Sequence, residues 1–279
     1  MLSSLDRQNI RQLENLNQRG GRMLTVVDLI EAGTLSLEMA AAVMQALDKG
    51  SSLLTGARPG GAGKTTVLAA FLNLLPPDVV ITTVDEPSMI PRALDRPPQQ
   101  PTCYLVHEIG AGHWYGYLWG RPVADYFRLL SGPHRIASCL HADTLEELTE
   151  ILVSPPLQVN LSDLDRVGIF GFMRMDYSGR GRVERRLATL YIRSPYLSHS
   201  CRFVFNPDAN AFSREHWPTE APNVSLSQQA PRGDSTIVAR ASEQKPRYLA
   251  FIEHLIQVGA RSLEEVREEV LAFYKRKPE

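Results

Sequence analysis

The sequence runs to 279 residues, enough for one large domain or two small ones with a sizeable core. With 43% hydrophobic and 22% charged residues it has the composition of an ordinary soluble globular protein, and a formal net charge of −1 excludes a global basic field that would draw in nucleic acid or an acidic membrane. Cys103, Cys139 and Cys201 lie far apart with no C-x-x-C, so neither a disulfide framework nor a zinc-knuckle spacing is present.

Residues 1–22 are polar, partly helical in pattern, and read as a loosely attached arm. They hold no apolar signal core, and no stretch of the chain approaches the length of a transmembrane run, so a cytoplasmic protein is expected, held at a membrane only peripherally if at all. "TVVDLIEAG" then predicts a short helix with Thr25 as cap and Asp28 at its third position. "SLEMAAAVMQALDKG" predicts another, capped by Ser36 and ended by Gly50.

From there short apolar runs at 52–54, 79–84, 103–107 and 136–140 alternate with helical segments near 64–75, 122–131 and 144–153. Thr144 and Glu147 have capping-box spacing at the start of the last. Such alternation predicts an α/β fold, a mostly parallel sheet with helices on both faces. At 166–192 two alternating runs flank Ser-Gly-Arg-Gly, a hairpin signal that adds antiparallel strands, with "CRFVF" at 201–205 as a further one. Residues 206–246, rich in Pro, Ser, Gln and Asn, read as a flexible linker. A C-terminal helical pair follows over 247–279, its second helix opened by Ser262 and Glu265.

The chemistry begins at "GARPGGAGKTT". A phosphate loop, G-x-x-x-x-G-K-[ST], needs glycines so that successive N–H groups can approach phosphate oxygens. Gly60, Gly61 and Gly63 supply that freedom, and Ala62, Lys64, Thr65 and Thr66 complete the run. Lys64 is suited to the β- and γ-phosphates of ATP and the Thr65 hydroxyl to Mg²⁺. The pattern's first glycine is replaced by Arg58, which leaves Gly56 and Pro59 to route the turn and a guanidinium free to lie against phosphate. An apolar run before and a helical run after the loop provide the strand–loop–helix order that the chemistry requires.

Glu108, ending "CYLVHE", is placed to act on a water that attacks the γ-phosphate. Asp85 and Glu86, ending "VVITTVDE", form an acidic pair suited to the Mg²⁺ shell, and His141 ends the run "ASCLH". His107 and His113 do not fit H-E-x-x-H, which sets zinc aside. "HWYGYLWGRPVADYFRLL" is unusually aromatic, which suits core packing, a subunit or partner interface, or base stacking, the neutral overall charge favouring the interface over nucleic acid.

Taken in order, "LTVVDLIEAG…SSLLTG", "GGAGKTT", "TVDEP", "LVHEI" and "SGPHRIASCLHADT" resemble the type II/type IV secretion and pilus-assembly ATPase superfamily, particularly its tight-adherence and archaeal branches, over about residues 23–205. The resemblance implies a RecA-like P-loop core, Glu108 as the catalytic glutamate, His141 as a sensor of the γ-phosphate, and Asp85 and Glu86 as the acidic box. It also implies a homo-hexamer working at an inner-membrane platform protein. Departures are His107, Gly110 and Pro133 in place of the family's glycine, arginine and histidine. Where the family carries a further N-terminal domain, 22 polar residues stand here. Arginine fingers are open among Arg22, Arg92, Arg96 and Arg121.

Three readings follow: a secretion-type ATPase, a nucleotide-dependent switch with little turnover, and a nucleic-acid-stimulated ATPase. The third rests on the basic stretch "GRGRVERR" alone and is not otherwise signalled. No N-K-x-D motif follows the loop to favour GTP.

Overall fold

The computed structural model describes residues 1–17, 20–177, 183–193, 200–217 and 235–276, with backbone only for the first part of the last segment. Its elements in chain order are α1 (Ser4–Glu14), α2 (Val26–Glu31), α3 (Leu37–Asp48), β1 (Leu53–Gly56), α4 (Lys64–Leu72), β2 (Val80–Thr83), α5 (Met89–Asp95), β3 (Thr102–Ile109), β4 (Tyr117–Leu118), α6 (Pro122–Arg128), β5 (Arg135–Leu140), α7 (Leu145–Val153), α8 (Leu161–Leu164), β6 (Ile169–Tyr177), β7 (Val183–Ile192), β8 (Ser200–Asn206), β9 (Ala211–Trp217), α9 (Ser235–Val258) and α10 (Leu263–Lys275).

One sheet organises them, in the order β2-β3-β5-β1-β6-β7-β8-β9, with β4 beside β3. β2, β3, β5, β1 and β6 run parallel, and β6 to β9 are antiparallel. Because successive side chains of a strand point to opposite faces, each central strand feeds two cores. Leu53, Cys103, Leu105, Ala137 and Cys139 face the core that also holds α1 to α4 and α10. Leu54, Tyr104, Val106, Ile136 and Leu140 face the core under α5 to α8. This is the α/β architecture expected, with helices on both faces and the antiparallel hairpin strands where the sequence put them.

Capping explains where several of the helices start. Thr25 with Asp28 and Ser262 with Glu265 form reciprocal boxes, and Ser36 caps α3. At α7 Thr144 accepts the Glu147 N–H, but the reciprocal half moves one residue upstream: Glu147 Oε2 accepts from Asp143 N–H at 2.9 Å.

Three expectations are corrected. The N-terminal residues are not a loose arm: Asp6, Asn9, Ile10 and Leu13 of α1 are buried. Asn9 donates to the Val79 carbonyl and accepts from Ile81 N–H, both at 2.8 Å, while Gln12 accepts from the Thr83 hydroxyl at 2.6 Å. Polar side chains thus saturate the outer edge of β2, and their polarity concealed the docking.

The linker expected over 206–246 contains β9 and the start of α9, leaving 218–234 outside the described residues. Its polar start is a turn: the Asn206 side chain accepts from Asp208 and Ala209 N–H groups at 2.9 and 3.2 Å, folding β9 back on β8.

The C-terminal helices are not a separate unit. Tyr248, Ile252, Leu255, Val266 and Val270 join the α1–α4 core, and the Tyr248 hydroxyl donates to Asp48 of α3 at 2.5 Å.

Candidate functional site

β1 ends at Gly56, where a Cβ would lie 2.4 Å from the Ala142 carbonyl and 2.8 Å from the Phe172 ring, so only glycine lets the chain pass. The loop continues through residues 57–63 into α4, with Gly61 at φ 81° and Gly63 at φ 97°. Both angles lie in the left-handed region that glycine adopts without penalty. Space beside Gly60 is open.

Arg58 lacks the positive φ that would require glycine; among the described residues only Gln158 and Asn210 adopt it without being glycine. The arginine faces away from the loop's interior. Its N–H donates to Asp143 Oδ1 at 2.7 Å and its Nε to Glu147 Oε1 at 2.6 Å. That hydrogen bond, reinforced by the Asp143 N–H, holds the Glu147 carboxyl below the usual carboxylate range. Arg58 therefore ties the loop's entry to the start of α7 rather than presenting its charge to a ligand.

Lys64 is buried at 7% exposure, its Nζ donating to the Ala57 carbonyl at 3.0 Å and standing 4.0 Å from Glu108 Oε2. Glu108 sits near the end of β3, and its Oε1 lies 3.3 Å from His141 Nε2. His141, just past β5, meets the Arg58 carbonyl through Nδ1 at 2.7 Å. A carbonyl oxygen only accepts, so Nδ1 carries the hydrogen of that contact. Parallel pairing of β3 with β5 and β5 with β1 brings Glu108, His141 and the loop to one end of the sheet. Burial, then the Glu108 carboxylate beside it, raises the Tyr117 hydroxyl above its ordinary pKa. Sequence reasoning passed over Tyr117, although β4 pairs it directly with Glu108.

Not every expected residue joins this group. Asp85 and Glu86 are exposed at the end of β2, which β3 and β5 separate from β1. Three strand spacings amount to about 14 Å. Among the described residues neither forms a hydrogen bond or ion pair with Lys64, Thr65 or Glu108; Glu86 accepts instead from the Ser88 hydroxyl at 3.2 Å. Thr65 and Thr66 are partly exposed on the first turn of α4.

Of the four arginines left open as fingers, Arg22 makes two 2.8 Å hydrogen bonds to Asp28. Arg92 and Arg96 line a cleft of about 790 Å³ against Val80 and Tyr104, on the α5 face of the sheet. In the aromatic stretch, Tyr126 and Phe127 are core, whereas Trp114, Tyr115 and Trp119 are exposed at 71%, 53% and 40%.

The donor set suits a polyphosphate. A buried ammonium has a neutral carbonyl as its close partner, glycines with left-handed backbone stand beside open space, and the N-terminus of α4 points its free N–H groups at the same place.

No family model matches the chain. Over 188 residues it is 26% identical to the uncharacterized protein MJ0900 of Methanocaldococcus jannaschii, covering 60% of this chain and 33% of that protein. Among solved structures it is similar to the ATPase DotB of Legionella pneumophila (TM-score 0.37, 13% identity, 93% of this chain and 65% of that one). It is also similar to the ATPase DotB of Yersinia pseudotuberculosis (TM-score 0.41, 11% identity, 83% and 60%). The chain thus spans a third of the archaeal relative and less than two thirds of either DotB chain. Among the described residues no helix is long and apolar enough to cross a membrane.

Proposed function

We propose that the chain binds ATP in the loop of residues 60–66 and hydrolyses it, as the energy-supplying subunit of a secretion- or pilus-type assembly. The observation that carries the reading is the convergence of Glu108 and His141 with the buried Lys64 at the mouth of a glycine-rich loop. Loop amides and Lys64 hold the β- and γ-phosphates. Glu108 orients a water, whose oxygen bonds to the γ-phosphorus as the bond to the β–γ bridging oxygen breaks, and receives the water's proton. His141 contacts the carboxylate oxygen of Glu108 that Lys64 does not, where it fixes the carboxylate and would meet the departing phosphate. Mg²⁺, held at Thr65, would neutralise charge on the phosphates, with Asp85 and Glu86 left outside its shell by the three strand spacings that separate them from the loop. A homo-hexamer docked on an inner-membrane platform is the working assembly that the family resemblance implies.

A switch with little turnover is the second reading, and one observation favours it. Glu108 is already engaged by Lys64 and His141, so it must be released before it can direct water.

Steady-state phosphate release from Mg²⁺-ATP separates them. Lys64→Ala and Glu108→Gln are each expected to lower turnover at least about 100-fold, the scale for losing one charge-stabilising group. Full turnover in Glu108→Gln would remove Glu108 from the chemistry. ATP binding without turnover in the unaltered chain would leave the switch.

A further inference from the structure

The basic stretch "GRGRVERR" has no role in the site as expected from sequence, yet one of its arginines reaches the phosphate loop. Arg185 of β7 donates from Nε to the Gly61 carbonyl at 2.8 Å, across 124 residues of chain. Its Cδ lies 3.5 Å from where a Cβ on Gly63 would stand, beside the Met173 methyl at the same distance. Arg186 is engaged elsewhere, with its NH2 nitrogen 2.8 Å from Glu184 and its guanidinium 5.5 Å over the Phe205 ring. Among the described residues the Arg185 guanidinium makes no other hydrogen bond or ion pair.

The geometry has a direct consequence for the loop. A trans peptide is planar, with its C=O and N–H pointing opposite ways. Fixing the Gly61 carbonyl on Arg185 therefore fixes the Ala62 N–H in the opposite direction, away from Arg185 and β7. Gly61 has φ 81° and no side chain, so the 61–62 peptide has little intrinsic barrier to rotating. Among the described residues, the Arg185 hydrogen bond is the one that the Gly61 carbonyl accepts.

We propose that Arg185 is a positioning residue of the nucleotide site: it sets the 61–62 peptide so that the Ala62 N–H faces the phosphates, and it adds a positive charge at the loop's outer side. The inference rests on the reading that this loop binds ATP. Because the peptide would grip the diphosphate that ATP and ADP share, the effect falls on both nucleotides alike. Binding, not the chemical step, is what changes.

The test measures ADP and ATP affinity by calorimetry for the full chain and for Arg185→Ala, Arg185→Gln, Arg185→Lys and Lys64→Ala, with melting temperatures taken without nucleotide. Arg185→Ala is expected to weaken both nucleotides about 10-fold, as loss of a charge-assisted hydrogen bond does. Its KM for ATP rises with kcat unchanged, and its nucleotide-free melting temperature stays near that of the unaltered chain. Arg185→Lys, which keeps a donor and the charge, is expected to recover most of the affinity; Arg185→Gln, a donor without charge, recovers less. Unchanged affinity in Arg185→Ala beside lost affinity in Lys64→Ala overturns the role of Arg185 and leaves the ATP site standing. A Lys variant as weak as the Ala variant also overturns it, as does a weakening matched by a fall in nucleotide-free stability. No binding by the unaltered chain overturns both readings.

Discussion

Arg58 occupies the place where a phosphate loop carries its first glycine, and its surroundings explain why the exchange is tolerated. The backbone there needs no left-handed angle, and the side chain leaves the loop for Glu147 and Asp143. Arg58→Gly is therefore expected to leave nucleotide affinity within about 3-fold, since the loop's peptide geometry is set elsewhere. The steric demand sits two residues earlier, at Gly56. Gly56→Ala must move the Ala142 backbone or the Phe172 ring, and soluble yield and melting temperature are expected to fall sharply.

His107, beside Glu108, is 2% exposed and neither ring nitrogen has a hydrogen-bond partner. Burial lowers its pKa from 6.5 to about 4. The unfolded chain then binds the extra proton between those two values, so stability is full above pH 6.5 and falls as the pH drops toward 4. At pH 5 the loss is about 2 kcal/mol, at 1.36 kcal/mol per pH unit below the unfolded pKa. His107→Leu is expected to flatten this part of the acid-denaturation profile; an unchanged slope would mean that another group causes it. At this scale the sequence made Lys64, Glu108 and His141 legible, because loop spacing and strand ends mark them. It gave Glu147 only as a helix cap and could not reveal its tie to Arg58, the reach of Arg185 to Gly61 or the pairing of Tyr117 with Glu108, all of which arise from strand pairing and helix packing.

Among the elements, the central parallel strands β1, β3 and β5 were legible because each is a largely apolar run buried on both faces. α1 was not. Its contribution is made through polar groups, which in a linear reading look like solvent-facing residues. Asp6 meets Arg267 of α10 at 2.8 Å with both side chains at 4% exposure or less, and Arg267 also donates to the Leu75 carbonyl. A buried pair of this kind adds little over an apolar pair, but removing one partner strands the other. Arg267→Ala is thus expected to destabilise the protein by about 3 kcal/mol, whereas Asp6→Leu with Arg267→Met should lose less than the single change. Denaturant melts of the three variants measure this. A double variant as unstable as Arg267→Ala would show that the geometry of the pair, rather than the stranded charge, matters.

For the whole molecule, the question is whether the C-terminal helices form an appendage or part of the fold. Composition suggested an appendage, because a Pro/Ser/Gln/Asn-rich stretch precedes them. Packing decides otherwise. Tyr248, Phe251, Ile252, Leu255, Leu263, Val266, Val270 and Phe273 are buried in the core that also supports α4 behind the phosphate loop. Asn73, just after α4, donates to the Leu263 carbonyl at 3.0 Å. At about 1.5 kcal/mol for each of these side chains, the low end for full burial, the contribution is about 12 kcal/mol. That is comparable to the whole net stability of a typical domain, about 5–15 kcal/mol. A chain ending after Trp217 is accordingly expected not to reach the native state, and to bind the apolar dye ANS without a cooperative thermal transition. The full chain is expected to melt in one transition, with α4 and α10 losing amide-exchange protection together. Were the shortened chain to melt cooperatively near the temperature of the full one, α9 and α10 would be an accessory layer. The nucleotide loop would then depend on the sheet alone.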